Sequence, residues 1–257
     1  MCLILFAWRA HPRYSLIVAA NRDEFHDRPS AVAHWWVGAP GVLAGRDLQA
    51  GGTWMGVSRS GRFAAVTNYR EPLTPEQPME RSRGYLVRDF LIGENSAMKH
   101  ASHVTDTGSA YHGFSLLLAD GRELACASNR MKTPVRVAPG VHALSNHLLD
   151  TSWPKANHGR LRLQALLEAD QVDVESLMGV LTDRSLVPGE EPAAFDLRLA
   201  PERLTRIAFV VSPEYGTRCS TVMLVDRELQ VEYVERQFDS GGSAVGTARF
   251  AFAMDSG

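Results

Sequence analysis

The chain opens with two apolar runs, Leu3–Trp8 and Tyr14–Ala20, separated by the polar stretch Arg9-Ala10-His11-Pro12-Arg13. Runs of strand length this close together leave room only for an antiparallel hairpin, because a parallel pair needs a much longer crossover. Ile17 and Val18 favour the extended state in the second run. The hairpin brings the chain back to its own start. Its second strand is expected to end at Asn21, which places the polar quartet Asn21-Arg22-Asp23-Glu24 near Cys2. If the extended backbone ran on through the quartet, Asn21 and Asp23 would face one way and Arg22 and Glu24 the other.

Cys2 gains chemical interest from its position. Removal of Met1 in front of a small residue would leave a thiol and a free α-amine on one carbon. An α-amine titrates near ~8 and a free thiol near ~8.5, so such an amine can accept or release a proton beside the sulfur at neutral pH. An N-terminal amine acting as base for its own side chain is one route to an activated nucleophile. By position alone, Cys2 equally fits a small hydrophobe leading into a strand.

Downstream, 29–41 reads as a loop that holds Trp35 and Trp36, with turns at Gly45-Arg46-Asp47 and Gly51-Gly52-Thr53. Thr53–Ser58 and Arg62–Thr67 read as a hairpin that runs into Asn68, and 71–80, with Pro72, Pro75 and Pro78, as an exposed loop. Tyr85–Leu91 and Ala97–Val104 have helical spacing. Phe114–Ala119 and Glu123–Ala127 flank Asp120-Gly121 as a hairpin. Short strands at Val135–Val137 and Val141–Leu144 lead to Asn146. Trp153–Leu167 and Val174–Leu181 read as helices, and Leu186–Ala200 as a long irregular excursion, a lid or a surface loop. Arg206–Val211, Cys219–Val225 and Gln230–Glu235 read as closing strands. The tail from Asp239 reads as poorly ordered at first, with Ala248–Ala253 apolar enough to dock.

Strands in one group, helices in the next and strands again favour an α+β layered architecture over alternating βαβ units. No repeat or linker interrupts the chain, so 1–257 is expected to be a single domain. A formal net charge of -2 gives no basic footprint, which argues against nucleic acid as the main partner. The cysteines Cys2, Cys126 and Cys219 form neither a complete disulfide framework nor a zinc spacing. Cys126 and Cys219 lie in strand-like runs as core thiols, and reduced thiols suit the cytoplasm. Leu3–Trp8 is too short for a signal sequence core or a membrane span, so no integral membrane segment is expected.

Asn21, Asn68 and Asn146 all close strand-like runs. A carboxamide there can cap a turn, or it can donate an N–H to an oxyanion. Asp23 and Glu24 can orient an ammonium, or form solvated pairs with Arg22. Arg218, just before an apolar strand, is either a turn-edge charge or a cation beside the thiol. His100 and His103, and His142 and His147, lack carboxylates at ligand spacing, so neither a metal nor any other cofactor is expected. Nucleophile-elbow, Walker and dinucleotide motifs are absent from the sequence.

The segment Ala20-Asn21-Arg22-Asp23-Glu24-Phe25, preceded by Met1-Cys2, resembles the signature of the NRDE family, the transport and Golgi organisation 2-like proteins. Gly51-Gly52-Thr53-Trp54, Thr67-Asn68-Tyr69-Arg70, Ser82-Arg83-Gly84, Leu144-Ser145-Asn146 and Tyr215-Gly216-Thr217-Arg218 extend the resemblance along most of the chain. It implies a four-layer αββα sandwich like that of N-terminal nucleophile hydrolases. A more distant resemblance, to the penicillin acylase and bile salt hydrolase branch, implies a catalytic set of Cys2, Asn68, Asn146, Arg218 and one of Asp23 and Glu24. Asn21 and Arg22 would then bind or orient substrate. Aligned on Phe25, Asn21 stands where that branch has arginine, and Glu24 where it has aspartate. The implied activity is hydrolysis of a non-peptide C–N amide bond in a small or lipid-like molecule by a cysteine nucleophile. The other reading is a non-catalytic carrier or chaperone for a hydrophobic metabolite such as acyl-CoA, a lipid or haem, with Trp35, Trp36 and Trp54 lining its pocket.

Overall fold

A computed structural model describes residues 2–71, 81–184 and 204–255. In chain order the strands and helices are β1 (Cys2–Trp8), β2 (Tyr14–Phe25), β3 (Ser30–Trp36), β4 (Ala39–Asp47), β5 (Met55–Ser58), β6 (Phe63–Asn68), α1 (Gly84–Leu91) and α2 (Ala97–Thr107). Then come β7 (Phe114–Ala119), β8 (Leu124–Ser128), β9 (Val135–Arg136), β10 (Gly140–Leu144), α3 (Pro154–Glu168), α4 (Val174–Leu181), β11 (Tyr215–Asp226), β12 (Gln230–Phe238) and β13 (Ala244–Ala253). This grouping is the α+β class expected from the sequence.

The chain gathers into two compact units, each drawing on separate stretches. One comprises Met1–Asp27, Pro139–Ser145 and Asp150–Phe252, and the other Arg28–Ala138, Asn146–Leu149 and Ala253–Gly257.

The first unit holds a sheet in the order β10-β1-β2-β11-β12-β13. The N-terminal hairpin forms as expected, pairing Cys2 with Arg22 and Leu3 with Asn21. Period-two alternation sends Leu3, Leu5 and Ala7 to one face, where Ile17, Ala19 and Val222 pack with Leu163 of α3 and Leu177, Met178 and Leu181 of α4. Burying each such leucine stabilises the fold by roughly 2–3 kcal/mol. Asp173 caps α4, its carboxylate accepting from the Ser176 N–H at 2.8 Å.

The second unit holds a sheet in the order β3-β4-β5-β6-β7-β8-β9. Its apolar face, including Val42, Ala64, Val66, Leu116, Leu118 and Ala125, packs with Val87, Phe90 and Leu91 of α1 and Ala97, Ala101 and Val104 of α2. Two of the quoted sequence motifs meet in this unit. The Thr53 N–H donates to the Gly84 carbonyl at 3.2 Å, and a Cβ on Gly52 would lie 2.5 Å from the Gly84 carbonyl carbon. Glycine at 52 is therefore required by a close approach of two backbones.

Several elements differ from expectation. β2 runs on to Phe25, because β11 stays paired with it through the polar quartet, past the point where β1 begins at Cys2. The expected loop at 29–41 is the β3–β4 hairpin. Trp36 is buried there and donates its indole N–H to the Ala44 carbonyl at 3.1 Å. Gly45, expected in a turn, lies inside β4, where the Trp54 ring occupies the space a side chain would need. Residues 206–211 are not a strand. They run irregularly beside the start of β11, with Val210 bonded to Thr217 through both its N–H and its carbonyl. The tail forms β13 beside β12, with Gly241-Gly242 in the connecting turn. The loop expected across the three prolines, at 72–80, and the excursion at 186–200 lie outside the described residues.

Candidate functional site

The first unit assembles most of the predicted residues by register alone. Cys2 of β1 pairs with Arg22 of β2, and Arg22 also pairs with Cys219 of β11. Directly paired residues share a face, so the side chains of Cys2, Arg22 and Cys219 lie in one row on the face turned away from α3 and α4. Arg22 is 5% exposed. Glu24 shares its face, with its carboxylate 3.8 Å from the guanidinium. A bulge between Thr217 and Cys219 inserts Arg218, which donates to the Phe25 carbonyl at 2.7 Å. Burial, then the neighbouring Arg22, hold the Arg218 guanidinium below its ordinary value, against Cys219, Glu24 and Asp27.

The cysteines differ in kind. Cys126 and Cys219 are buried, whereas Cys2 is partly exposed. Burial, with Glu235 and Cys2 adding to it, pushes the Cys219 thiol well above its ordinary value, and Arg22 and Arg218 offset only part of this. Cys219 is a buried core thiol.

Asn21 and Asp23 lie on the helix-covered face. The Asn21 carboxamide donates to the Leu181 and Ala208 carbonyls, each at 2.8 Å, and accepts from the Ser220 hydroxyl at 2.6 Å. It ties β2 to α4 and to the segment before β11. Asp23 is buried and accepts from the Thr217 hydroxyl at 2.7 Å. Burial raises its carboxyl above the ordinary range, opposed by the chain's N-terminal charge, Lys155, the Thr217 hydrogen bond and Arg22.

Asn68 and Asn146 belong to the second unit, where they meet each other. Asn146 donates its side-chain N–H to the Asn68 carbonyl at 3.0 Å, and its own carbonyl accepts from the Arg70 N–H at 2.8 Å. Its φ of 50° lies in the left-handed region, which asparagine tolerates better than most residues. Beside them the Tyr69 hydroxyl and His147 Nε2 are 2.7 Å apart.

Sequence reasoning missed Lys155, Thr217 and Ser145. Ser145 donates its hydroxyl to the Cys2 carbonyl at 2.8 Å, fixing the start of β1 to the end of β10. Lys155 is buried in the first turn of α3. A lysine there opposes the helix dipole, and that placement was the sequence clue to it. Among the described residues no group of three or more His, Cys, Asp or Glu side chains is placed to hold a metal ion. No described helix is long and apolar enough to cross a membrane.

The family described as Transport and Golgi organisation 2 matches residues 1–240. The Bos taurus transport and Golgi organization protein 2 homolog is 37% identical over 257 residues, covering 92% of each chain. The Homo sapiens homolog is 35% identical over 280 residues and covers both chains in full. Among solved structures, a mutant conjugated bile acid hydrolase from Clostridium perfringens matches with a TM-score of 0.52 at 10% identity. The match covers 99% of this chain and 92% of that one. At that identity the likeness is one of fold, and it is the N-terminal-nucleophile-hydrolase-like fold that the sequence motifs imply.

Proposed function

The chain belongs to the transport and Golgi organisation 2 family, and we propose that it is an N-terminal cysteine amidohydrolase acting on a non-peptide amide of a small or lipid-like molecule. The observation that carries this reading is the row Cys2–Arg22–Cys219. It sets a partly exposed thiol at the start of a central hairpin, beside a buried arginine.

With Met1 removed, the Cys2 sulfur attacks the amide carbonyl and a C–S bond forms. The α-amine takes the thiol proton and delivers it to the leaving nitrogen as the C–N bond breaks. Water then cleaves the thioester, the α-amine again carrying the proton, to give a carboxylic acid and an amine. Arg22 and Arg218 set positive potential on the thiol face, tempered by Glu24. The family resemblance assigns the oxyanion donors to Asn68 and Asn146.

The test is turnover of an amide library beside thermal melts for the wild type, Cys2→Ser and Asn146→Ala. Cys2→Ser is expected to keep the wild-type melt and lose most turnover. Asn146→Ala is expected to lower turnover by roughly 10²–10³-fold, the usual loss for one oxyanion donor. Undiminished hydrolysis by Cys2→Ser would overturn the reading. Tight binding of a hydrophobic metabolite by a protein that turns over no amide would instead favour the carrier.

A further inference from the structure

β10 ends before it has covered the start of β1. Their pairing runs from Trp8 and Gly140 to Ile4 and Leu144, and it stops two residues short of Cys2. Asn146 then turns the chain out of the strand, with a φ of 50°. Between these points stands Ser145, buried, whose hydroxyl donates to the Cys2 carbonyl at 2.8 Å. The first residues of a chain are poorly ordered unless something ties them down. Holding this carbonyl fixes the first peptide plane of β1, and with it the Cα that carries the thiol and, once Met1 is removed, the α-amine.

What holds Ser145 lies at the outer edge of β10, the first strand of its sheet. The chain leaves β10 at Leu144 and returns at Asp150, which docks on Ala143 like one residue of a further strand. The Asp150 N–H donates to the Ala143 carbonyl and the Ala143 N–H donates to Asp150 Oδ1, each at 2.9 Å. Asp150 Oδ2 lies 2.7 Å from His142 Nδ1, and the His142 ring stacks on Phe6 of β1 with centroids 5.3 Å apart. A carboxylate bonded through both oxygens loses the rotation that a single bond would leave it. Asp150 has a φ of 55°, a left-handed conformation that aspartate tolerates. Residues 144–149 therefore form a loop closed at Ala143 and Asp150, with Ser145 beside that closure.

We propose that Asp150 is a positioning residue for Cys2. Its carboxylate closes the 144–149 loop on β10, the loop holds Ser145 in place, and the Ser145 hydroxyl sets the first peptide of β1. The role in catalysis rests on the N-terminal cysteine reading above. Edge protection of β10 alone would need the same carboxylate but would leave Cys2 unaffected by its loss.

The experiment labels the full chain with ¹³C-carbonyl cysteine and follows the resonances of Cys2, Cys126 and Cys219, with Cys2 assigned through Cys2→Ser. Asp150→Gly removes the carboxylate and keeps the left-handed backbone without strain. It is expected to move the Cys2 resonance in the same direction as Ser145→Ala does, with Cys126 and Cys219 staying in place. Asp150→Asn can still accept from Ala143 and pair with His142, and is expected to return Cys2 toward the wild type. A Cys2 resonance that stays put in Asp150→Gly overturns the proposal. If Asp150→Gly fails to fold, His142→Phe keeps a ring on Phe6 and removes only the Oδ2 partner. An unmoved Cys2 resonance in that variant overturns the proposal equally.

Reactivity tests the link to the nucleophile. A p-nitrophenyl ester acylates a thiol through an oxyanion and releases p-nitrophenolate, whereas iodoacetamide alkylates it with loss of iodide and no oxyanion. Asp150→Gly is expected to slow acylation of Cys2 by roughly 10-fold or more, the scale of loss for a small misplacement of a reacting group, and to leave alkylation unchanged. Wild-type acylation together with a moved resonance overturns the link, and so does an equal loss in both reactions. Failure of the hydrolase reading looks different: there the wild type itself is not acylated at Cys2, while the carbonyl resonances still decide whether Asp150 sets its position.

Discussion

Acid should unfold this protein partly through His100, a buried residue of α2. Its ring meets Phe90 edge-on with centroids 5.2 Å apart, and the Arg62 guanidinium sits over the same Phe90 ring at 3.9 Å. Burial, then the Arg62 and His103 charges, lower the His100 value to about 4, against Asp89 and a hydrogen bond with the Leu86 backbone. An unfolded histidine takes its proton near ~6.5. The unfolded chain thus binds this proton as pH falls below ~6.5, while the folded chain binds it only near 4. The contribution is fully present above the unfolded value and is lost progressively across that window. At ~1.36 kcal/mol per unit the ceiling is ~3 kcal/mol, and incomplete shielding of the ring reduces it to about 2 kcal/mol.

The assay compares urea unfolding of the wild type and His100→Leu near pH 7 and near pH 4.5. Losing the hydrogen bond to Leu86 should cost the variant roughly 1 kcal/mol at both pH values. Asp47, Asp150 and Asp173, whose carboxyls are held below the ordinary range, weaken both proteins equally as pH falls. The wild type should therefore lose about 2 kcal/mol more than His100→Leu between the two conditions. Equal losses would refute the reasoning.

Asn21→Ala should cost about 2–4 kcal/mol in denaturant unfolding, because it strands the buried Leu181 carbonyl, the part-buried Ala208 carbonyl and the Ser220 hydroxyl. A stability change below ~1 kcal/mol would show that Asn21 does not tie these elements together. Gly52→Ala should destabilise by about 2 kcal/mol or more, since its Cβ would meet the Gly84 backbone, which cannot rotate away. A wild-type melting temperature in this variant would remove the close-approach account of the two glycine motifs.

What the sequence revealed depended on whether the decisive interaction was local. The N-terminal hairpin was legible because its two apolar runs and polar turn lie within a few residues of each other. α4 was legible to the residue, since Val174–Leu181 carries helical spacing and follows Asp173, its cap. The β3–β4 hairpin was not, because Trp36 and Gly45 are explained by packing against Ala44 and Trp54 rather than by alternation. The extension of β2 through Asn21-Arg22-Asp23-Glu24 was hidden for a related reason. The quartet's polarity suggested a strand end, while β1 pairs with Asn21 and Arg22 and β11 pairs with the whole quartet and keeps it extended.

At the site, Cys2, Arg22 and Glu24 on one face and Asn21 and Asp23 on the other followed from period-two alternation once the strand continued. The Thr217–Asp23 hydrogen bond was illegible, because it joins residues far apart in the chain through the pairing of β2 with β11.

The central claim is that Cys2 is the N-terminal nucleophile, and intact-mass analysis with peptide mapping tests it most directly. The purified protein is treated with a thiol-reactive amide or ester probe, and the modified residue is located. The account predicts a mass lacking Met1 and a label on Cys2 alone, since Cys126 is buried and burial holds the Cys219 thiol protonated. Retained Met1, or a label on Cys126 or Cys219 in place of Cys2, would contradict it.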